Sequence, residues 1–155
     1  MINSKDKQIV EIEGVNWLIV ELMKAGIEVA RPIRDRGVDL VVYNERKNDE
    51  LFAKVIQVKA SSEESFSIDQ KYEKTKGLLI VYIWNLESNP IAYALSYEEV
   101  FSIAREIGWV KTKSWEKGIY STSTPSKELK KLLKQYEMNE EKWSKLFDIK
   151  KEIVS

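Results

Sequence analysis

The chain contains no cysteine and no histidine among its 155 residues. The absence of cysteine excludes disulfides and thiolate metal sites. The absence of histidine excludes Ser-His-Asp and Cys-His catalysis, as well as histidine-based zinc sites. Any hydrolytic mechanism must therefore use carboxylates, amides, lysine or tyrosine, and a hard cation bound by oxygen ligands fits that inventory.

Long apolar runs are also missing. No stretch approaches the roughly 18 apolar residues that a transmembrane helix needs, and the segment Met1–Asp6 lacks the apolar core of a signal peptide. We therefore expect a cytoplasmic protein with no membrane segment. Because no linker rich in proline, glycine or serine divides the chain, its length favours a single domain over residues 1–155.

The chain has no excess of either charge, since 25 Lys and Arg balance 25 Asp and Glu. The charges are nevertheless segregated. Residues 61–100 hold three Lys or Arg and seven Asp or Glu, whereas residues 111–135 hold seven and two. One interpretation is a pair of differently solvated surfaces. The other is a basic segment that contacts phosphates, in which Lys111, Lys113 and Lys117 would bind a nucleic-acid backbone.

Hydrophobic periodicity predicts a chain of the α/β class. A first helix, with Ser4 as its N-cap, ends near Ala25-Gly26, and its predicted core-facing stripe is Glu11, Val15, Leu18, Leu22 and Ala25. The other predicted elements are strands at 27–30, 37–43, 51–60, 78–84 and 91–95, a short helix at 69–76, a helix from a Ser96/Glu99 capping box to 107, a helix opening at Thr124-Pro125 and a last helix around Trp143.

Two strand-like runs carry polar residues among apolar ones. The first, Gly37–Tyr43, contains Asp39, and the second, Lys54–Ala60, contains Gln57 and Lys59. Because side chains alternate along a strand, Gln57 and Lys59 share one face. Burying such groups costs free energy unless they are paired or bind an ion. We therefore expect the three side chains to converge at one end of a sheet.

This pattern resembles the PD-(D/E)XK nuclease superfamily, which includes restriction-endonuclease-like and Holliday-junction-resolvase-like enzymes. Val38-Asp39 matches its P-D, and Gln57-Val58-Lys59 matches its (D/E)-X-K, with valine in place of the proline and glutamine in place of the acid. The predicted element order over about residues 8–84 corresponds to its αβββαβ core. The resemblance implies a mixed central sheet flanked by helices, followed by a C-terminal helical extension over about residues 85–155.

The resemblance also implies a role for each motif residue. Asp39 would be the central ligand of Mg²⁺, or of Mn²⁺ in its place, with the Gln57 side chain and the Val58 backbone carbonyl as further ligands. Lys59 would orient the attacking water or stabilise the developing negative charge. The structural alternatives are an aspartate that caps a backbone group or forms a salt bridge with Arg34 or Arg36, an amide hydrogen-bonded within the sheet, and a lysine whose stem packs on apolar neighbours.

The superfamily often adds a glutamate from its first helix, and Glu11 and Glu13 compete for that role. Glu11 lies on the predicted stripe and should face the sheet, whereas Glu13 lies about 200° away at roughly 100° per residue. Helical phase therefore favours Glu11. Glu13 stays an alternative, because Gly14 could distort the helix.

The function that the resemblance implies is metal-dependent hydrolysis of DNA phosphodiester bonds by Asp39, Gln57, Lys59 and Glu11. Ser61, which follows the motif strand, could donate a hydrogen bond to a phosphate, although a turn role is the alternative. Cutting both strands would need two such sites, which favours a homodimer. The rival hypotheses are a catalytically inactive nuclease-like DNA-binding or partner subunit, and an interaction protein whose polar strand residues are structural.

Overall fold

The computed structural model describes residues 6–45 and 48–147. Its helices are α1 (Lys7–Lys24), α2 (Tyr97–Glu106), α3 (Lys113–Glu116), α4 (Lys127–Leu133) and α5 (Glu140–Leu146), with 3₁₀ turns at Gln70–Lys74, Trp109–Lys111 and Lys134–Tyr136. Its strands are β1 (Glu28–Ala30), β2 (Leu40–Glu45), β3 (Leu51–Ala60), β4 (Phe66–Asp69), β5 (Leu79–Trp84), β6 (Ile91–Ser96) and β7 (Ile119–Thr122). None of the described helices has both the length and the apolar character needed to span a membrane.

Five strands form one mixed sheet in the order β1-β2-β3-β5-β6. Strand β3 runs parallel to β5, and the other neighbouring pairs are antiparallel. A parallel pair needs a crossover connection, which here consists of β4 and the 3₁₀ turn Gln70–Lys74. The expected order of a helix, three strands, a helical segment and a strand is therefore present. It differs from the prediction in the additional strand β4 and in the 3₁₀ turn at the place of a helix over 69–76.

Each face of this sheet carries a hydrophobic core. On one face α1 and α5 cover the sheet, with Leu18 and Trp143 among the buried side chains. On the other face α2, α4 and β4 cover it, with Val100, Leu129 and Phe66 among the buried side chains. All six residues of β5 are buried, as expected for a strand covered on both faces. The predicted α/β class, with a mixed sheet flanked by helices, is confirmed.

Helix α1 begins later than predicted, and its predicted buried stripe is right except for Glu11. Asp6 is its N-cap, because the Asp6 side chain accepts a hydrogen bond from the backbone N–H of Gln8 at 2.9 Å, whereas Ser4 lies outside the described residues. The prediction that Glu11 faces the core is wrong, since Glu11 is exposed. The rest of the predicted stripe is confirmed, since Leu18, Leu22 and Ala25 are buried and Val15 packs against the core, and the helix also buries Val10 and Gly14.

The C-terminal part contains strands as well as helices, so the prediction of a helical extension is only partly right. Strand β6 adds to the edge of the main sheet beside β5, and β7 pairs antiparallel with β4 in a separate two-stranded sheet. The side chains of Tyr82 and Trp84 in β5 donate hydrogen bonds, each of 2.6 Å, to the carbonyls of Ser67 and Ser65. These bonds hold the start of the small sheet against the main one.

Helix boundaries in this part agree with the prediction at one cap and differ at another. The predicted capping box at the start of α2 is confirmed, because the side chains of Ser96 and Glu99 each bond the backbone N–H of the other. Helix α4, however, is capped by Ser126, whose side chain accepts from the N–H of Leu129. The prediction of a helix that opens at Thr124-Pro125 is therefore wrong by two residues.

Gly14 permits the close approach of α1 to β3. A Cβ atom built at Gly14 would lie 2.3 Å from the Cβ of Ala60, a distance that real side chains do not tolerate. Ala60 is the last residue of β3 and follows Gln57 and Lys59 in the same strand. The contact therefore places the first half of α1 directly beside the strand end that carries the motif.

We expect Gly14→Ala to destabilise the protein, because the added methyl group forces α1 away from β3. Overpacking of this kind costs about 1–3 kcal/mol, and the gain in helix propensity of about 1 kcal/mol offsets only part of it. Urea unfolding of the variant and the wild-type protein measures the difference.

The double variant Gly14→Ala/Ala60→Gly removes the conflicting methyl group from the strand and should recover most of the lost stability. The single variant Ala60→Gly is the matched control for the strand change alone. A Gly14→Ala protein as stable as the wild type would contradict this account of the contact.

Candidate functional site

Asp39 lies where β2 and β3 separate. Strand β2 pairs with β3 only as far as Leu40 opposite Ile56, so the last four residues of β3 have no partner on that side. The backbone N–H of Asp39 donates to the carbonyl of Ile56 at 2.9 Å, and Oδ2 of Asp39 accepts from the backbone N–H of Val58 at 2.7 Å. The carboxylate thus takes the position that a strand carbonyl would otherwise occupy.

Gln57 and Lys59 point away from α1, as strand alternation predicts. Ile56 and Val58 belong to the core on the α1 face, so the residues between and after them face the opposite side of the sheet. Oε1 of Gln57 is buried and has no hydrogen-bond partner among the described residues. Its Nε2 donates to the carbonyl of Val58 at a long 3.4 Å. Gln57 therefore carries an unused acceptor, which is unusual for a buried amide.

Lys59 is held by an aromatic ring. Its Nζ lies 5.3 Å from the centre of the Tyr72 ring, within range of a cation–π interaction. Lys71 approaches the same ring, with its Nζ 5.0 Å from the centre. Tyr72 is almost fully buried, so it provides a fixed surface for the two ammonium groups.

The pKa of the Asp39 carboxyl is raised above its ordinary value, and burial is the main cause. The hydrogen bond from Val58 opposes this shift. Among nearby charges, Asp35 and Glu11 raise the pKa further, whereas the Lys59 ammonium lowers it. Asp39 therefore lies close enough to Lys59 and Glu11 to interact with both, and its ionised form is under-compensated by the surrounding protein.

These residues line one open cleft of about 770 Å³. The start of α1, the loop before β2, the end of β3 and the starting segment of β4 contribute to it, and so does the segment at the end of β7. Its lining residues include Lys7, Glu11, Asp35, Gly37, Asp39, Gln57, Val58, Lys59, Ser61, Ser65, Ser67, Lys71, Tyr72, Ser121 and Ser123. All four predicted catalytic residues thus belong to the same cleft. Glu11 lines it whereas Glu13 does not, so the structure separates the two competing glutamates.

Ser61 lines the cleft, and its hydroxyl also stabilises a turn. The Ser61 Oγ accepts a hydrogen bond from the backbone N–H of Glu63 at 3.3 Å, while the backbone N–H of Ser61 donates to the carbonyl of Ile83 at 2.9 Å. The turn role that the sequence left open is therefore present. The hydroxyl keeps its proton available for a further acceptor.

The predicted basic contacts are placed elsewhere. Lys111, Lys113 and Lys117 lie in the segment around α3 and do not line the cleft. The lysines that do line it, besides Lys59, are Lys7 and Lys71, which the sequence did not single out because each is a lone lysine at a helix start or strand end. Part of the basic C-terminal segment is neutralised internally, since Lys130 forms a salt bridge of 2.6 Å with Glu64.

The donor atoms around Asp39 fit a hard cation. Because the N–H and C=O of one strand residue point to the same side, the Val58 carbonyl faces the side on which Asp39 lies. The Val58 N–H bonds the Asp39 carboxylate, and the Val58 carbonyl accepts a long hydrogen bond from Nε2 of Gln57, whose Oε1 has no partner among the described residues. Carboxylate, amide and peptide oxygens are ligands of Mg²⁺ and Ca²⁺. Across the described ranges no three acidic side chains gather into a metal-holding cluster, so such a site would depend on the amide and the peptide carbonyl.

The salt-bridge alternative for Asp39 is not found. No ion pair joins Asp39 to Arg34 or Arg36 in the parts of the chain that the structure describes, and the only nearby cation that affects its pKa is Lys59. The carboxylate does have a structural role, through its hydrogen bond with Val58. That bond uses one of the two oxygens and leaves the other for a ligand.

Comparison of the chain with models of known protein families gave no match, and neither curated proteins nor solved structures gave a significant one.

We expect Asp39→Asn to raise the melting temperature at pH 7 by a few degrees. The Asp39 carboxyl binds its proton more tightly in the native state than in the unfolded chain, where its pKa is near 3.8. The native state therefore holds more protons between pH 3.8 and its raised pKa, and stability falls as pH rises through that window. The amide removes this loss while its oxygen still accepts from Val58.

Melting curves at pH 7 and below pH 4 test the direction of this pH dependence. The difference in melting temperature between the variant and the wild type should shrink as Asp39 of the wild type becomes protonated. Glu50→Gln, a change of an exposed acid before β3, is the matched control and should show no such pH dependence. An Asp39→Asn protein that is less stable than the wild type at pH 7 would show that the charge is compensated.

Proposed function

We propose that the protein is a metal-dependent endonuclease that hydrolyses DNA phosphodiester bonds. The main support is that Asp39, Gln57 and Lys59 line one cleft in which the Gln57 Oε1 is a buried acceptor without a partner in the described chain. An ion between this oxygen, the Asp39 carboxylate and the Val58 carbonyl would satisfy the acceptor and offset the burial of the carboxylate. No salt bridge to Arg34 or Arg36 offsets the Asp39 carboxylate among the described residues, and the hydrogen bond of the Gln57 amide within the sheet leaves its Oε1 without a donor there.

A bound divalent cation would polarise the phosphate and lower the pKa of a coordinated water. Asp39 would hold the cation with its free carboxylate oxygen while its other oxygen stays fixed by Val58. The Lys59 ammonium would donate a hydrogen bond to the phosphoryl oxygens, where negative charge develops. Because Tyr72 holds this ammonium over its ring, Lys59 needs little reorganisation to do so. Glu11, which is exposed at the cleft, would complete the ligand set through water or directly.

The remaining cleft residues suit a polyanion. Lys7 and Lys71 bring two further ammonium groups, and serines from two separate segments bring hydroxyl donors. Such point charges and hydroxyls bind phosphates without reading bases. One cleft cuts one strand, so we propose a homodimer for the cleavage of both strands.

An inactive descendant that binds DNA is the second candidate. It is favoured by Gln57, because a neutral amide contributes one negative charge fewer than the acid usual at this position of the PD-(D/E)XK pattern. The two candidates share the cleft and differ in whether the bound backbone is cut. A cleavage assay therefore separates them.

We expect the wild-type protein to cut plasmid or branched DNA in Mg²⁺ or Mn²⁺, and Lys59→Met to lose about 100-fold or more of that activity. Methionine keeps most of the apolar stem over Tyr72, so folding should be retained. The variant should also keep the rise in melting temperature that Mg²⁺ causes in the wild type, since Lys59 is not a proposed ligand. Gel assays and melting curves measure the two effects.

Lys111→Met is the matched control, because it removes a lysine outside the cleft and should retain wild-type cutting. Loss of activity in both variants would point to a nonspecific charge effect. A wild-type protein that binds DNA and leaves every substrate intact in both ions would favour the inactive descendant.

A further inference from the structure

The loop between β1 and β2 exposes an isoleucine completely. Ile33 is 103% exposed, more than any other large apolar side chain among the described residues. The hydrophobic effect favours burying such a side chain. A polar residue at this exposed loop position would remain solvated at no cost to the fold. Full exposure of Ile33 therefore indicates a side chain that is not used by the fold of the isolated chain.

Arginines flank this isoleucine. The sequence of the loop is Arg31-Pro32-Ile33-Arg34-Asp35-Arg36-Gly37. Arg34 and Arg36 are exposed, and neither forms an ion pair with any residue that the structure describes. Arginine is well suited to phosphate, because its planar fork donates two parallel hydrogen bonds. Two arginines without partners, next to a solvated isoleucine, form an unused cationic and apolar tip.

The loop is anchored to α1 at its start and makes a local turn near its end. At its start the Arg31 guanidinium donates a hydrogen bond to the side chain of Asn16 in α1. Near its end the Asp35 carboxylate accepts from the N–H of Gly37 at 3.2 Å, and Gly37 has a φ of 81° that a side chain would strain. These contacts shape the path by which the chain enters β2.

The tip also lies close to the candidate cutting site along the chain. Asp35 and Gly37 line the cleft together with Asp39. Ile33 precedes Asp39 by six residues, and six residues span at most about 20 Å when fully extended. At 3.4 Å per base along one strand, this limit is roughly six base steps. Several base steps on either side of a phosphate in the cleft therefore lie within the maximum distance of Ile33 from Asp39.

We propose that the loop of residues 31–37, defined here as the wedge loop, binds duplex DNA beside the scissile phosphate, with Ile33 inserted at a base step and Arg34 and Arg36 on the flanking phosphates. Apolar side chains inserted between base pairs unstack and kink DNA, and they act together with arginines that contact the backbone. The substrate class that follows is a duplex that is already weakened at one step, such as a mismatch, a nick or a junction, because unstacking costs least there. This inference rests on the proposed function, since it assigns the substrate of the same cleft.

The test uses a duplex of about 30 base pairs, longer than the reach estimated above, with 2-aminopurine beside a central mismatch. Ca²⁺ replaces Mg²⁺ in the binding step, and cutting is assayed separately in Mg²⁺. We expect the wild-type protein to brighten the 2-aminopurine on binding, because the probe is unstacked. In Ile33→Ala this brightening should fall to less than half, with about tenfold weaker binding to the mismatched duplex.

Arg34→Ala/Arg36→Ala should weaken binding to matched and mismatched duplexes alike and lower the salt dependence of log K by about two units, as expected for two lost phosphate contacts. Leu51→Ala is the control for Ile33→Ala. Leu51 is 74% exposed and lies at the start of β3, whereas the cleft lies at the end of that strand. Lys127→Ala/Lys131→Ala is the control for the arginine pair, since it removes the same charge from the exposed face of α4. Both controls should bind as the wild type does.

The outcomes separate this inference from the proposed function. If the wild type binds or cuts DNA and Ile33→Ala matches Leu51→Ala in affinity and brightening, the wedge loop is wrong and the nuclease proposal stands. An arginine variant that behaves like the α4 lysine variant would equally overturn the phosphate contacts. A wild-type protein that neither binds these duplexes in Ca²⁺ nor cuts them in Mg²⁺ would overturn both proposals.

Discussion

The hydrogen bond between the Asp39 carboxylate and the Val58 N–H is the interaction on which the candidate site depends. It joins the start of β2 to the end of β3 at the point where the two strands stop pairing. Without it the Val58 N–H would be a buried donor with no partner, which costs about 1–3 kcal/mol. The same bond keeps the carboxylate beside Gln57 and near Lys59. One contact therefore ends the ladder of the sheet and also positions its most polar group.

Electrostatics at this position are left unbalanced in the protein itself. Burial and the neighbouring acids disfavour the charged form of Asp39, and Lys59 and Val58 compensate only in part. The buried Oε1 of Gln57 adds an acceptor that has no donor within the described ranges of the chain. Proteins usually satisfy such groups, and they retain local imbalance mainly where a ligand completes the site. A cation would satisfy a carboxylate and an amide oxygen at once, so energetics as well as pattern favour the proposal of a cation at this site.

Sequence alone was sufficient for the parts of the site that depend on local periodicity. Strand alternation placed Gln57 and Lys59 on one face. Helical phase, together with the resemblance, favoured Glu11 over Glu13. The helical-phase argument was partly wrong, because Glu11 is exposed at the cleft and does not point into the core. The pairing of β4 with β7 was not predictable, since residues about fifty positions apart in the chain form it. Ser67 and Ser121 of the cleft, which face each other in that pairing, were missed for the same reason. They have no periodic signal of their own and acquire a position only through that pairing.

The choice of glutamine at position 57 follows from the charge of the cleft. Glu11, Asp35 and Asp39 already contribute three carboxylates to the cleft, and Lys71, one of its lysines, is paired with Asp69 at 3.4 Å. A further acid at this buried position would stand next to Asp39, and its like charge would raise the cost of ionising both groups. A carboxamide supplies the ligand oxygen without that repulsion. The glutamine therefore avoids a second uncompensated charge in the free protein. It also binds the ion more weakly than an acid would, so that Asp39 and the backbone carbonyl would be the main ligands.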